Sequence, residues 1–255
     1  MEEQKVIDHI VNWLNNYCES THHNGFIVGI SGGIDSALTS KLCALTGKKV
    51  IALSLPLRQR TNEYKRALNH ISFLTENHNN VLSHDIDLTD TFNLLEKTLP
   101  HYVIENKLAM ANTRSRLRMS TLYAVGQANN LLVTGTGNKI EDFGVGFFTK
   151  YGDGGVDISP IADLTKTEVK KLAKYLSIDN EILSADPTDG LWDEDDRTDE
   201  KQMGASYIEL EWAMEYSGNK NELSERQIEV LNIYQNLHEK NKHKIDPIPV
   251  CLIPK

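Results

Sequence analysis

A glycine-rich segment carries the residue types and the spacing for phosphate chemistry. The letters SGGIDS at residues 31–36 follow the apolar run FIVGI at 26–30 and precede a helical pattern. The free N–H groups at a helix N-terminus bind anions, and glycine lets the backbone approach phosphate oxygens closely. The carboxylate of Asp35 is a hard oxygen ligand of the kind that Mg²⁺ prefers. The segment therefore predicts a site for a phosphate group and its metal, with a tight structural turn as the alternative.

The spacing of this segment excludes two common nucleotide motifs. Dinucleotide-binding turns have the form GxGxxG, which Gly29, Gly32 and Gly33 do not match. Loops that hold a transferable γ-phosphate have the form GxxxxGK[ST], and here the lysine is missing. Lys41 lies five residues beyond Ser36, which is too far along the helix to replace it. The segment is thus a phosphate-binding turn of a different kind.

Buried strands that alternate with helices must position this turn. Continuous apolar runs predict strands, and an apolar period of roughly 3.6 residues predicts helices. Strands are predicted over 26–30, 50–55, 81–86 and 131–135, and helices over 4–18, 36–46, 62–78, 104–130, 165–176 and 224–240. This alternation is typical of an α/β fold with an open parallel sheet and helices on both faces. Ligands of such sheets bind beyond the carboxyl ends of the strands, where the glycine turn and Thr136 both lie.

The composition and the charge limit the classes of protein to which this chain can belong. The 255 residues are 40% hydrophobic and 25% charged, which is ordinary for one α/β domain, and we expect a single domain over 1–255. No apolar run approaches the roughly 18 residues that span a bilayer, and the start MEEQKVIDHI lacks a signal-peptide core. We therefore expect a cytoplasmic protein without a membrane partner. The net charge of −9 argues against a nucleic-acid partner, since nucleic-acid binders usually carry a basic field.

The cysteines give no sign of special chemistry. Cys18, Cys43 and Cys251 stand far apart, without CxxC spacing. This pattern argues against a disulfide framework and against a zinc site, so each cysteine is predicted to be a small buried hydrophobic residue.

Several ordered motifs carry a family resemblance. The form SGGxDS resembles the PP-loop of ATP pyrophosphatases, which holds the β- and γ-phosphates that leave together as pyrophosphate. The block GTGNKIEDFGVGFFTKYGDGGVDISPIADLTKTEV at 135–169, together with TRSRLRM at 113–119 and HK at 243–244, closely resembles ammonia-dependent NAD synthetases. The resemblance implies a Rossmann-like sheet of the adenine nucleotide alpha hydrolase type. It also implies the last step of NAD⁺ biosynthesis, in which ammonia and ATP convert deamido-NAD⁺ through an adenylated intermediate into NAD⁺, AMP and pyrophosphate.

The resemblance also implies roles for particular residues. Asp35 and Glu141 would bind Mg²⁺, and Asp35, Lys150 and Lys166 would be catalytic. The residues that would bind ATP are Gly29, Ile30, Ser31, Gly32, Gly33, Ile34, Asp35, Ser36, Thr136, Lys166 and Thr188. Those that would bind deamido-NAD⁺ are Arg116, Lys150, Asp157, His243 and Lys244. Outside this block, Lys150 and Lys166 would be interpreted as ordinary solvent-facing lysines.

The chain departs from the family pattern at one point. Between Glu141 and Gly146 it is one residue longer, so Asp142 competes with Glu141 as the metal ligand. The NK-x-E spacing before Glu141 is intact, which favours Glu141. The three arginines of TRSRLRM alternate along a predicted helix and therefore cannot all face one ligand.

The sequence also bears on the oligomeric state and on the source of the nitrogen. The resemblance implies a homodimer, and the apolar stripe within 104–130 fits either an interface helix or a core helix. The first strand starts near residue 26, which leaves no room for a fused glutaminase domain, so ammonia is the expected substrate. The segment DPTDGLWDEDDRTDE at 186–200 is rich in turn formers and acids, and it is either a solvated loop or a lid over a substrate.

Two other functions compete with this one. The first is another PP-loop adenylating enzyme, such as an RNA-modifying one, against which the acidic charge counts. The second is a non-catalytic nucleotide-binding module. Such a module would have little use for the two metal-binding carboxylates, which disfavours it.

Overall fold

A parallel sheet forms the centre of the fold. The computed structural model describes residues 2–59, 61–188, 190–192 and 198–254. Its strands are β1 (Gly25–Gly29), β2 (Lys49–Ser54), β3 (Val81–Asp85) and β4 (Leu131–Val133). They lie in the order β3-β2-β1-β4, and each neighbouring pair is parallel. The predicted strands and the predicted α/β class are confirmed.

Helices connect the strands and continue beyond the sheet. The first are α1 (Glu3–Ser20), α2 (Ile34–Leu45), α3 (Thr61–Asn77), α4 (Thr89–Thr98), α5 (His101–Ile104) and α6 (Lys107–Asn129). A π-helix (Lys139–Val145) follows β4, and then come α7 (Lys166–Tyr175), α8 (Asn180–Leu183), α9 (Asp199–Met203), α10 (Tyr207–Glu215), a 3₁₀ turn (Lys220–Glu222) and α11 (Glu225–Ile245). Capping boxes begin α7 at Thr165 and α11 at Ser224, where the sequence predicts helix starts.

Strands β1, β2 and β4 are apolar and buried on both faces, whereas β3 at the edge of the sheet is largely exposed. In β1, Phe26 and Val28 point to one face and join a core with α1, α2, α3 and α7. Ile27 points to the other face and packs with residues of α4 and α6, such as Phe92 and Leu122. All three β1 side chains are fully buried. This two-sided burial explains why the sequence shows continuous apolar runs rather than alternation.

The order of the strands fixes where a ligand can bind. The chain moves from β1 outward to β2 and β3, and then returns to place β4 on the opposite side of β1. The connections therefore diverge between β1 and β4, and a crevice opens there at the carboxyl edge of the sheet. The glycine turn follows β1 and Thr136 follows β4, so both lie at this crevice.

A third core lies beyond the sheet. Ile140 and Val145 of the π-helix pack with Met203 of α9, Leu210 of α10 and Leu231 of α11. This cluster joins the C-terminal helices to the segment that follows β4. The sequence pattern predicts α11 but not α4, α5, α8, α9, α10 or the π-helix.

Two expectations about the surface can be compared with the structure. Cys18 and Cys43 are buried, as predicted, but the prediction for Cys251 is wrong, because it lies exposed in the C-terminal tail. That tail, from 246 onward, follows α11 without regular secondary structure and packs little of its side-chain surface. Among the described residues, no helix combines the length and the apolar character needed to cross a membrane.

Candidate active site

The glycine turn is shaped by its contact with α3. Gly32 has a φ of +86°, and a Cβ placed on it would lie 2.3 Å from the main-chain oxygen of Glu63. Only glycine fits this backbone and this approach. Gly33 is the N-cap residue of α2, and no side chain caps the helix there. The first N–H groups of α2 thus have no carbonyl partner within the helix, which suits them to bind an anion.

Two serines hold the turn in shape. The Ser36 hydroxyl donates to the Gly33 carbonyl at 3.0 Å and accepts the Ser31 N–H at 3.2 Å. The hydroxyls of Ser31 and Ser36 are 3.0 Å apart. These bonds bring the two ends of the turn together around an open centre. The serines of the SGGIDS segment therefore fix the backbone as well as offering hydroxyls to a ligand.

A cavity of about 270 Å³ lies over the turn. The predicted ATP residues that line it are Gly29, Ile30, Ser31, Gly33, Ile34, Asp35, Ser36, Thr136, Lys166 and Thr188. Gly32 is the exception, since it packs against α3 instead. Glu141 also lines the cavity. The structure thus brings together almost the whole predicted ATP site and both predicted metal ligands.

Lys166 links the two predicted metal ligands. Its ammonium donates to Asp35 Oδ2 at 2.6 Å and to Glu141 Oε1 at 3.0 Å, and the side chain is only 2% exposed. Asn138 donates to Asp35 Oδ1 at 3.1 Å, and the Tyr207 hydroxyl donates to Glu141 Oε1 at 2.5 Å. The buried lysine is therefore fully paired, contrary to the solvent-facing interpretation of an isolated lysine.

The charges in this cluster shift one another's pKa values. Burial raises the pKa of Asp35, and the nearby Lys166 charge offsets this only in part. Burial also acts upward on Glu141, but Lys166 and the hydrogen bonds from Tyr207 and Asn138 outweigh it and hold the pKa of Glu141 below its usual value. For Lys166, burial alone would lower the pKa, yet the two carboxylates raise it above the ordinary value. Lys166 therefore stays charged in the unliganded site.

Glu141 lies in the π-helix that follows β4. Asn138 caps this helix by accepting the N–H groups of Ile140 and Glu141, and Gly146 ends it in the left-handed conformation. A π-helix closes its hydrogen bonds over one more residue than an α-helix does, which suits the longer Glu141–Gly146 spacing that the resemblance leads us to expect. Glu141 thereby remains beside Lys166.

Asp142 points to a different part of the cavity. A Cβ placed on Gly137 would lie 1.9 Å from Asp142 Oδ2, so the carboxylate packs tightly over that glycine. Burial and the neighbouring Asp153 and Glu141 charges raise the pKa of Asp142 well above its usual range. The described bonds of Lys166 go to Asp35 and Glu141 and not to Asp142. The geometry of the described residues therefore favours Glu141 as the partner of Asp35.

The predicted dinucleotide residues lie around a second, more open depression of about 580 Å³. Lys150 and Lys244 line it, and their ammonium groups donate to the carbonyls of His243 at 2.5 Å and Phe148 at 2.7 Å. Arg116 lies beside this group and donates to the Lys150 carbonyl at 3.2 Å. The helix end at 243–244 thus lies against the 148–151 segment.

Asp157 is held by hydrogen bonds from other parts of the protein. Its carboxylate accepts the Val133 N–H at 2.8 Å and the Tyr123 hydroxyl at 3.0 Å. Tyr123 in turn lines the second depression, so Asp157 lies next to it rather than in its wall. Met119 and Val156 line both cavities, so the two cavities are adjacent.

The three arginines of α6 face different segments, as their spacing predicts. Arg114 is buried and donates to the Leu191 carbonyl at 3.0 Å. Arg118 lies one turn further along the same face and donates to the Leu55 carbonyl at 3.0 Å and to Gln59 at 2.8 Å. Arg116 points to the other side. Two of the three therefore hold the segments that flank the first cavity.

Sequence reasoning missed several residues of this site. Thr188 donates to Glu63 at 3.0 Å, and Glu63 is a buried carboxylate that no motif singles out. Tyr207 reaches the site from α10, a helix that the sequence analysis does not predict. Asn138 had a usable signal, because it is the first letter of the NK-x-E spacing. Of the segment 186–200, residues 189 and 193–197 lie outside the described residues, so the choice between loop and lid stays open.

Comparison with known proteins agrees with this geometry. A family model described as NAD synthase matches residues 6–247. The chain belongs to the NAD synthase family. The NH(3)-dependent NAD(+) synthetase of Malacoplasma penetrans is 39% identical to this NAD synthase family member over 94% of this chain and 91% of its own. The enzyme of the same name from Alkaliphilus metalliredigens is 36% identical over 98% of this chain and 99% of its own.

A solved structure extends the similarity to three dimensions. The NMN synthetase from Francisella tularensis superposes with a TM-score of 0.83 at 32% identity, covering 100% of this chain and 99% of its own. The likeness spans the sheet and the C-terminal helices. The family member described here therefore has the architecture of relatives that carry two different product names.

Proposed function

We propose that this protein is an ATP-dependent ligase that converts deamido-NAD⁺ and ammonia into NAD⁺, with AMP and pyrophosphate as the other products. One observation carries the proposal: an uncapped helix start at a glycine turn and a lysine-bridged pair of carboxylates line the same cavity. Full-length similarity to relatives named for this reaction supports it. The RNA-modifying alternative is not favoured.

The chemistry requires two displacements. A nicotinate carboxylate oxygen attacks the α-phosphorus of ATP, the bond to the oxygen that bridges to the β-phosphorus breaks, and pyrophosphate leaves. Ammonia then attacks the carbonyl carbon of the resulting acyl adenylate, loses a proton, and expels AMP as the amide forms. The protein must hold two large anions in line and disperse the phosphate charge.

The first cavity suits the ATP. We assign the triphosphate to the turn at 29–36, with Thr136, Lys166 and Thr188 completing the wall. The Ser31 hydroxyl and the free N–H groups of α2 would donate to phosphate oxygens. Lys166 is the catalytic cation in this proposal. Because it is buried and charged, its effect on developing negative charge is larger than that of an exposed lysine.

The donor set fits Mg²⁺. Asp35 and Glu141 share Lys166 and thus lie near each other at the cavity, and Mg²⁺ characteristically takes one or two carboxylates together with substrate phosphates. No cluster of three or more acidic, histidine or cysteine ligands is found among the described residues, which fits a metal that arrives with ATP. Mg²⁺ would neutralise phosphate charge there.

The second depression suits the part of deamido-NAD⁺ that lies away from the ATP phosphates. We assign this substrate to Arg116, Lys150, Asp157, His243 and Lys244, with Lys150 also serving the reaction. Burial lowers the pKa of Lys244, although the charges of Asp153 and Asp142 on the ATP side act to raise it. The two cavities adjoin each other, since Met119 and Val156 line both. We further propose a cytoplasmic homodimer that uses ammonia and needs neither nucleic acid nor membrane.

A mononucleotide acceptor is the second candidate. The solved relative with a TM-score of 0.83 is named an NMN synthetase, and amidation of nicotinate mononucleotide by the same two displacements would give NMN. The cations at the second depression favour the dinucleotide, because they can pair with its additional phosphate.

The test is a reaction with both acceptors. Protein, ATP, Mg²⁺ and ammonium are mixed with deamido-NAD⁺ or with the mononucleotide, and products are separated chromatographically. We expect NAD⁺ with equal amounts of AMP and pyrophosphate, and a higher kcat/KM for the dinucleotide. Formation of ADP and phosphate would contradict the mechanism. A higher kcat/KM for the mononucleotide would show that the mononucleotide is the substrate, and the proposed mechanism would still hold.

A further inference from the structure

Arg66 of α3 is a cation beside the glycine turn, and it has no acidic partner among the described residues. Its Nε donates to the Gly32 carbonyl at 3.1 Å, and this is the polar contact that the side chain makes within the described part of the chain. The residue is half-buried and lines the first cavity together with Ser31 and Gly33. In a protein of net charge −9, this arginine gives the wall of the anion site a local positive charge.

The packing of α3 fixes where this arginine lies. A Cβ on Gly32 would lie 2.3 Å from the Glu63 oxygen and 3.1 Å from the Ala67 nitrogen, so the helix touches the turn along this stretch. Arg66 immediately precedes Ala67 and extends past Gly32 to the cavity. The contact uses Nε and leaves both terminal nitrogens of the guanidinium for a ligand. Those nitrogens form the fork that binds phosphate oxygens in pairs.

A second cation at this position would assist the departure of pyrophosphate. The turn lacks the lysine that GxxxxGK[ST] loops place on the outer phosphates. Lys166 is already shared between Asp35 and Glu141. When the α-phosphorus is attacked, negative charge accumulates on the departing pyrophosphate. A guanidinium next to the turn can stabilise that charge.

We propose that Arg66 binds the outer phosphates of ATP and stabilises pyrophosphate as it leaves. The inference rests on the proposed function and adds to it a residue outside the family motifs quoted above. The alternative role is purely structural, in which Arg66 braces the Gly32 carbonyl. The two roles differ in which ligands they affect, because AMP lacks the outer phosphates.

The test compares ligands with and without those phosphates. Affinities of Arg66→Gln for ATP, pyrophosphate and AMP are measured by calorimetry on the full chain with Mg²⁺. We expect ATP and pyrophosphate to bind about 10- to 100-fold more weakly, as the loss of charge-assisted hydrogen bonds predicts, while AMP binding is unchanged. The rate of ATP–pyrophosphate exchange should fall, and Arg66→Lys should recover part of it.

A matched control uses the neighbouring cation. Lys65 is exposed on the same helix and does not line the cavity, so Lys65→Gln should leave all three affinities unchanged. Equal losses for pyrophosphate and AMP, or a wild-type affinity for pyrophosphate in Arg66→Gln, would overturn the proposal. A wild-type protein that binds pyrophosphate but makes no NAD⁺ or NMN would instead count against the proposed function, so the two failures are distinct.

Discussion

At the scale of single residues, burial determines what Lys166 can do. An ammonium at 2% exposure persists only because two carboxylates lie within hydrogen-bonding distance. The same arrangement keeps Asp35 and Glu141 from repelling each other before ATP and its metal bind. The cluster therefore holds a balanced set of charges that a triphosphate and its metal can rearrange. Its members should respond differently to replacement.

The first prediction concerns Asp35. In Asp35→Asn the amide oxygen can still accept from Lys166, and Glu141 still balances the lysine, so the fold should remain intact. The metal would lose a carboxylate, and we expect turnover to fall by about 10³-fold, the range seen when a major electrostatic group is removed. Turnover and the thermal midpoint are measured together. Asp163→Asn is the control, because Asp163 pairs with Lys139 and is almost fully exposed. Full activity in Asp35→Asn would contradict the proposal that Asp35 binds the metal.

At the scale of elements, the close contact between the glycine turn and α3 places the phosphate site. Gly32 and Gly47 both have positive φ, at +86° and +73°, but of these two only Gly32 has main chain within reach of an added Cβ. A substitution at Gly47 therefore introduces backbone strain alone, whereas one at Gly32 introduces strain and a steric clash. This pair allows the role of the contact to be measured.

The second prediction uses this pair. Gly47→Ala should cost about 1–2 kcal/mol in free energy of unfolding, which is the strain of a left-handed alanine. Gly32→Ala should cost more and should also weaken ATP binding, because α3 must move away from the turn. Urea unfolding and calorimetry provide the two measurements. Equal stability losses, with ATP affinity unchanged in Gly32→Ala, would show that the contact is dispensable.

The elements also show what the sequence could and could not predict. Strand and turn positions were predictable, since an apolar run that ends at Ser31-Gly32-Gly33 is typical of a buried strand that leads into a turn. The π-helix was not, because its hydrogen bonding depends on how both ends of 139–145 are held. Glu63 and Arg66 were missed because nothing in α3 shows which of its faces meets the turn. Contacts between elements remote in sequence carry no local signal.

At the scale of the whole molecule, one buried histidine makes stability depend on pH. His70 is buried under α2, its Nε2 lies 3.0 Å from Ser40 Oγ, and its Nδ1 has no hydrogen-bond partner among the described residues. Burial lowers the pKa of His70 from 6.5 to about 4; a backbone hydrogen bond with Ala37 opposes this, the charge of Lys41 adds to it, and Asp179 opposes it. Between these values the unfolded chain binds a proton that the folded chain does not, so stability falls as pH falls.

The third prediction follows from that sign. The contribution of His70 is present in full above pH 6.5 and is lost as the pH drops towards 4, by about 3 kcal/mol in total. His70→Gln should lack this component, so the difference between wild type and variant should shrink across this range. Urea unfolding at pH 7 and at pH 4.5 measures it. A difference that stays constant with pH would show that folding does not lower the pKa of His70.

The fourth prediction concerns assembly. Apolar side chains on α5 and α6, among them Tyr102 and Leu108, face solvent in the single chain, and Leu108 is 59% exposed. We expect two chains of 28.8 kDa to associate through this surface, since apolar side chains left exposed on two successive helices are typical of an interaction site. Leu108→Asp would place a charge in that contact and should raise the dissociation constant by about 10-fold or more. Ile208→Asp, at a site on α10 that is 73% exposed, is the control and should have no effect. Sedimentation velocity distinguishes the outcomes. A wild-type monomer at micromolar concentration would refute the dimer, and dissociation by Ile208→Asp alone would move the interface to α10.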